Sequence, residues 1–249
     1  MSRRWLQLTA LLVLSVTQSN AEAQPRIAII IDDLGYQLEA GRRAIMLPGP
    51  VAFAILPGTP HSRRLAQFAN DRGKDVLLHL PLEAVNYHGP AEPGGMTLDM
   101  THKAFSITFA EAMETVPYAV GVSSHRGSLL TRHPGHMAWL MQEIGERDNL
   151  FFIDSYTTHE SVALTAAAEA GINATRRDVF LDHERSAEAI ARELERLRKV
   201  ARRKGQAVAI GHPFPETLEL LERELPALKE EGFELVTISE LMLAERNRT

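Results

Sequence analysis

Short apolar runs alternate with helical patterns along almost the whole of this chain, and that alternation leaves it few folds. The runs lie at 26–31, 51–55, 75–79, 118–122, 150–153, 172–175, 206–210 and 233–237. Helical spacing fits between them at 37–46, 61–72, 103–115, 134–147, 159–170, 186–204 and 215–230, with a short helix after Ser239. The clearest is 186–204, where Ile190, Leu194, Leu197 and Ala201 recur on one helical face. Strands that alternate with helices over short connections build a parallel sheet covered by helices, either a barrel or an open doubly wound sheet. No linker, low-complexity tract or internal repeat divides the sequence, so one domain is expected.

The first run carries the most chemistry. Ile29, Ile30 and Ile31 read as a buried strand that ends in Asp32, Asp33, Leu34 and the turn residue Gly35. Such folds carry their sites at the C-terminal tips of the strands. Neighbouring side chains of an extended chain point to opposite faces, so Asp32 and Asp33 are expected to face different ways and do different work. A helix cap would explain one of them and leave the pair unexplained.

Residues 1–23 read as an export signal. Arg3 and Arg4 precede the apolar stretch from Leu8 to Val16, and Ala21-Glu22-Ala23 fits a small-x-small cleavage site. The stretch is short for a membrane span. Residues 24–249 are therefore expected as an exported, periplasmic chain with no stable membrane span, the alternative being a retained N-terminal anchor. The formal charge of −5 becomes −6 without Arg3, Arg4 and Glu22, and no basic footprint marks nucleic acid as a partner. Cysteine is absent, so packing alone must hold the fold, and a zinc site would have to use histidine and carboxylate. The Gly- and Pro-rich segment 84–100 is long for a strand-to-helix connection, and loops of that length shape a site or stay mobile.

If the strands are parallel, the polar residues at their ends converge. Besides Asp32 and Asp33 these are His79 and Glu83, the run Ser123 to Ser128 containing His125, Asp154 with Ser155, Arg177 to Asp182, and His212 before Pro213. Singly, each has an ordinary explanation as a core histidine, a helix cap or a surface ion pair. Together they lay out a metal-assisted hydrolase. Asp33, His79 and His125 make a carboxylate–imidazole–imidazole set of the kind that leaves room for water on a catalytic Zn²⁺. Asp32 is placed to take a proton from that water, and His212 to protonate a leaving amine from across the barrel mouth. Arg177 with Asp154 or Asp182 would hold one of these groups in place. No Gly-x-Gly-x-x-Gly follows the first strand, which speaks against a dinucleotide-dependent enzyme.

The segments IIDDLG (30–35), HLPLE (79–83), GVSSHRGS (121–128), FFIDS (151–155), RRDVFLDH (176–183) and AIGHP (209–213) resemble the polysaccharide deacetylase superfamily, most closely its divergent bacterial branch. They cover nearly the whole chain after residue 23. The resemblance implies a distorted (β/α) barrel of about seven parallel strands and a metal-dependent hydrolase that removes N- or O-acetyl groups from carbohydrate, such as peptidoglycan or another acetylated glycan. It implies Asp32 as base, Asp33 as metal ligand and His212 as acid. The metal it implies is divalent, zinc before other ions. In the wider family two metal histidines stand four residues apart after the third strand, whereas the fourth residue after His79 here is Glu83. The third ligand is then His125 or Glu83, and spacing does not choose between them. The alternative on the same fold is a carbohydrate-binding or regulatory protein of weakened catalysis.

Overall fold

Side-chain alternation along the strands sorts the core of this protein into two layers. The computed structural model describes residues 24–90 and 92–246; the export segment read at 1–23 lies outside the described residues. In chain order the elements are β1 (Arg26–Leu34), α1 (Leu38–Ile45), β2 (Ala52–Ile55), α2 (Ser62–Asn70), β3 (Val76–Leu82), α3 (His102–Thr115), β4 (Ala119–Arg126) and α4 (Pro134–Gly145). They continue with β5 (Phe151–Asp154), α5 (Ala163–Glu169), β6 (Ala174–Arg176), β7 (Val179–Phe180), α6 (Ala187–Lys204), β8 (Gln206–Gly211), α7 (Pro215–Glu230), β9 (Glu234–Leu235) and α8 (Ile238–Arg246). Every strand pairing is parallel, in the order β6-β5-β4-β3-β2-β1-β8-β7, with β9 on the first residues of β1.

Ile27, Ile29 and Ile31 of β1, with Phe53, Ile55, Leu78, Leu80 and Phe152, pack outward against the helices. Ala28 and Ile30, with Ala52, Ala54, Leu77, Phe151, Ile153, Val208 and Ile210, form a second, inner cluster. Ile238, Leu241 and Met242 of α8 join that inner cluster, so the C-terminal helix plugs the bottom of the curled sheet. Period-two alternation then dictates what comes next on the inward face. Asp32 stands above Ile30, His79 above Leu77, His125 above Ser123, and His212 above Ile210. The site is the polar top of an apolar column.

The curl closes through one segment that changes partner. The backbone N–H of Arg177 donates to Asp154 O (3.0 Å) at the β5 edge, and those of Asp178 and Leu181 donate to Val208 O (2.9 Å) and Ile210 O (2.8 Å) of β8. Residues 174–181 thus join the two ends of the sheet into the expected distorted barrel. The two-residue β7 is the strand that the sequence pattern missed, because so short a run carries no periodicity of its own. Helix α6 forms as its stripe requires: Ile190, Leu194, Leu197 and Ala201 are buried, Ser186 Oγ caps the Ala189 N–H at 3.2 Å, and Gly205 ends it in a left-handed turn.

Gly121 keeps the interior narrow. A Cβ there would lie 2.5 Å from Cε2 of Phe151, an aromatic ring only 5% exposed and packed in the inner cluster. Gly121→Ala should therefore lower stability by about 1–3 kcal/mol, read as a melting temperature reduced by roughly 2–10 °C. An unchanged melt would mean that Phe151 moves aside without strain.

Candidate active site

Three side chains from three strand ends meet at one point. Asp33 Oδ1 lies 2.9 Å from His125 Nδ1 and 3.2 Å from His79 Nε2, and the two ring nitrogens are 3.2 Å apart. Among the described residues, Asp33, His79 and His125 are the one set of three potential metal ligands whose donor atoms all lie within 4.8 Å of each other. A tetrahedral ion with bonds of about 2.0–2.1 Å needs donor atoms about 3.3 Å apart. The residues present fit such an ion. His79 is oriented from behind, where its Nδ1 shares a 2.7 Å hydrogen bond with the buried Ser123 Oγ. With Nδ1–H donated to Ser123, Nε2 keeps its lone pair for the shared point.

The two aspartates do not face opposite ways as expected. Asp33 has φ +61°, and the β1–β2 register shifts between Ile31 and Leu34. In the left-handed conformation the Asp33 side chain swings back to the side that Asp32 already occupies, overriding simple alternation. Asp32 is 2% exposed, with Oδ2 3.5 Å from His79 Nε2. Burial pushes its carboxyl above the usual range, against the opposing pull of His79 and His212. Burial also works to raise Asp33, but the facing rings of His125 and His79 outweigh it and hold that carboxyl well below the usual range.

His212 is beside the aspartates, not across the mouth. Strand β8 pairs directly with β1, Ile31 opposite Gly211, and His212 Nε2 is 3.7 Å from Asp33 Oδ2. Its Nδ1 is 2.8 Å from Asp182 Oδ1, while Asp182 Oδ2 accepts from the His212 backbone N–H (2.6 Å) and from Thr217 Oγ1 (2.8 Å). Burial lowers the His212 imidazole, but the bond to Asp182 and its charge more than offset this and raise it. Asp182 thus holds a histidine, one of the two roles that the sequence left open for it.

The remaining expected residues are arranged differently. The Arg177 guanidinium takes neither the Asp154 nor the Asp182 carboxylate as its hydrogen-bond partner. It donates to Ser155 O (2.7 Å) and Tyr156 O (3.1 Å) and lies over the Phe180 ring. Its charge is close enough to Asp32 and Asp154 for both to counter the burial that lowers its pKa. Asp154 accepts from the Tyr156 N–H (2.8 Å) and Ser161 Oγ (2.7 Å), so it ties down the turn after β5. Glu83 does not join the cluster; its Oε2 accepts from the Leu98 N–H at 2.7 Å, and of the two candidates His125 is the one beside Asp33 and His79. Three residues to which the sequence assigned no role of their own matter here. Ser123 faces His79 across the β3–β4 pairing, Thr217 supports Asp182, and Glu92 lies 3.5 Å from His125 Nε2. The two-residue spacing from Ser123 to His125 was the only sequence signal for any of them.

Asp32, Asp33, His79, His125, Arg177 and His212 line one cavity of about 180 Å³. Buried polar side-chain atoms normally find hydrogen-bond partners. Asp32 Oδ1 and Ser155 Oγ, both in residues of this cavity, do not. That concentration marks a place built for a ligand.

The model of a family described as divergent polysaccharide deacetylase matches residues 29–242. The uncharacterised protein YibQ of Escherichia coli (strain K12) is 35% identical over 221 residues, 89% of this chain and 67% of that protein. The crystal structure of an uncharacterised protein from Agrobacterium tumefaciens C58 superimposes with a TM-score of 0.83 at 25% identity, over 89% of this chain and 90% of that one. The catalytic domain of a peptidoglycan N-acetylglucosamine deacetylase from Eubacterium rectale ATCC 33656 shares the fold, with a TM-score of 0.56 at 13% identity over 87% and 90% of the two chains.

His125 carries the opposing charge beside the carboxylates of this site. Burial lowers its pKa, but the carboxylates of Asp33 and Glu92 beside it raise it from 6.5 to about 9. A group raised on folding contributes stability that is complete below its unfolded pKa and lost as pH rises through the folded one. Melting temperature measured in chelator should therefore fall between pH 6.5 and 9, with a smaller fall in His125→Asn. Equal slopes in the two proteins would show that His125 does not carry this charge.

Proposed function

The chain belongs to the divergent polysaccharide deacetylase family, and from that premise we propose that it is a periplasmic, metal-dependent carbohydrate deacetylase. Its substrate is an N-acetyl or O-acetyl group on a cell-envelope glycan such as peptidoglycan. The observation that carries this reading is the Asp33–His79–His125 triangle with Asp32 and the Asp182-held His212 around the same cavity.

Asp33, His79 and His125 would hold the ion, zinc before other divalent metals. When bound, such an ion polarises the acyl oxygen and acidifies a water molecule. Asp32, raised by burial, is the base that takes the water proton as the oxygen adds to the acyl carbon. His212, whose pKa the Asp182 carboxylate raises against burial, gives its Nε2 proton to the leaving nitrogen, or to oxygen in an ester. The carbon–nitrogen bond breaks, and acetate and a free amine leave. Asp182 and Thr217 keep His212 in the orientation that this transfer needs, and Arg177 stiffens the 155–156 backbone beside Asp32. The deacetylase of E. rectale acts on peptidoglycan N-acetylglucosamine, as its name states, and its shared fold supports a glycan as substrate class here.

Protein purified without a histidine tag and loaded with zinc, manganese or nickel is expected to release acetate from acetylated glycans. Asp32→Asn should lower turnover about 10²–10⁴-fold and keep its metal, whereas Asp33→Asn and His79→Ala should lose most of it. His212→Ala should retain metal and lose the alkaline limb of the pH profile of kcat/KM. Wild type that binds no divalent ion overturns the metal reading. Metal-loaded protein that binds glycan but releases no acetate would favour the carbohydrate-binding alternative.

A further inference from the structure

Glu92 lies in the long connection between β3 and α3, yet its carboxylate reaches the third ring of the site. That connection is pinned at several points. Met96 N–H donates to Pro81 O (2.8 Å), Glu83 N–H to Met96 O (2.9 Å), and Gly95 N–H to Glu92 O (2.9 Å). The Tyr87 ring stacks on the Arg126 guanidinium at 3.7 Å. Pro93 sits where a Cβ on Gly58 would be only 2.7 Å away, so glycine at 58 permits the approach. Glu92 is thereby held against His125, with its side chain 18% exposed.

His125 Nε2 has two neighbours of opposite kind. Arg126 Nε–H donates to it at 3.1 Å, and Glu92 Oε1, an acceptor, lies farther off at 3.5 Å. The neutral ring carries one proton, and where it sits decides what the other nitrogen can do. While Arg126 donates to Nε2, the proton must sit on Nδ1, the atom that faces Asp33 and His79, and Nδ1 has no lone pair to offer. If Nε2 carries the proton toward Glu92, Nδ1 is free to ligate. Glu92 also engages the competing donor, with Oε2 3.3 Å from Arg126 Nε and Oε1 3.3 Å from Arg126 Nη2.

We infer that Glu92 is the positioning residue that selects the metal-ligating tautomer of His125 when an ion binds, accepting Nε2–H in place of the Arg126 donation and taking up the guanidinium itself. This rests on the metal-binding function proposed above. Carboxylate partners of ligating histidines set ring orientation and basicity, and their loss typically costs 10–100-fold in metal affinity. The arrangement also explains the long connection, which delivers one carboxylate to a ligand that the adjacent strand supplies without support of its own.

Zinc affinity, measured by competition with a chromophoric chelator, should fall about 10–100-fold in Glu92→Gln and less in Glu92→Asp. In Glu92→Gln combined with Arg126→Met, part of the loss should return, because the competing donor is gone. Nitrogen-15 spectra of the zinc-loaded wild type should show His125 protonated at Nε2 and not at Nδ1, a readout that needs no variant to fold. Wild-type affinity in Glu92→Gln, or a proton on Nδ1 in the loaded wild type, overturns this inference alone. Wild type that binds no zinc overturns it together with the metal reading.

Discussion

The left-handed backbone of Asp33 is the constraint on which the site depends. A non-glycine residue in that conformation costs of order 1–2 kcal/mol, and it persists only where the surroundings fix it. Here they do. Leu34 pairs with Ile55, its carbonyl accepts from Leu56 N–H at 2.8 Å, and Gly35 O accepts from His61 N–H at 3.0 Å. Gly35, at φ +137°, runs so close to the Thr59 side chain that any Cβ would collide with it. The loop after β2 therefore clamps the tip of β1. The clamp turns two sequential carboxylates toward one cavity, where a regular strand would have sent one into the helix layer.

The second constraint is electrostatic. Three carboxylates, Asp32, Asp33 and Asp182, stand among three imidazoles, His79, His125 and His212, mostly out of contact with water. Buried charges persist only when paired and hydrogen-bonded. The pairing here is uneven, and the unevenness separates the roles. Asp33 faces two rings that hold its carboxyl well below the usual range, whereas Asp32 is dominated by burial and raised above it. Asp182 accepts hydrogen bonds from His212 and Thr217 and passes its influence to His212. Environments that push neighbouring titratable groups apart are how one site holds both an acid and a base.

Much of this site was legible from spacing. Asp32, His79, His125 and His212 each stand at or just after the end of an apolar run, and parallel strands bring those ends to one face. Asp33 broke period-two alternation because that rule assumes extended backbone, and the register shift of β1 is set by its contact with β2 and the Thr59 loop. His212 was expected across the mouth because strand order is not written in any one strand. The choice between Glu83 and His125 needed the turn after β3, where Glu83 is taken up by the backbone of Leu98. Glu92 carried no local signal, since it stands in a Gly- and Pro-rich connection with no periodicity.

What the sequence by itself determined was the inventory and the repeat: parallel strands under helices, a stripe on α6, carboxylates and histidines gathered at strand tips. These follow from periodicity and burial, which act over a few residues and can be read locally. Only the tertiary structure decided which tips are neighbours, which way Asp33 turns, that residues 174–181 close the barrel, and that Glu92 reaches His125. Those outcomes depend on pairings between residues far apart in the chain. Their energies depend on contacts that exist only once the sheet has curled and its interior has excluded water.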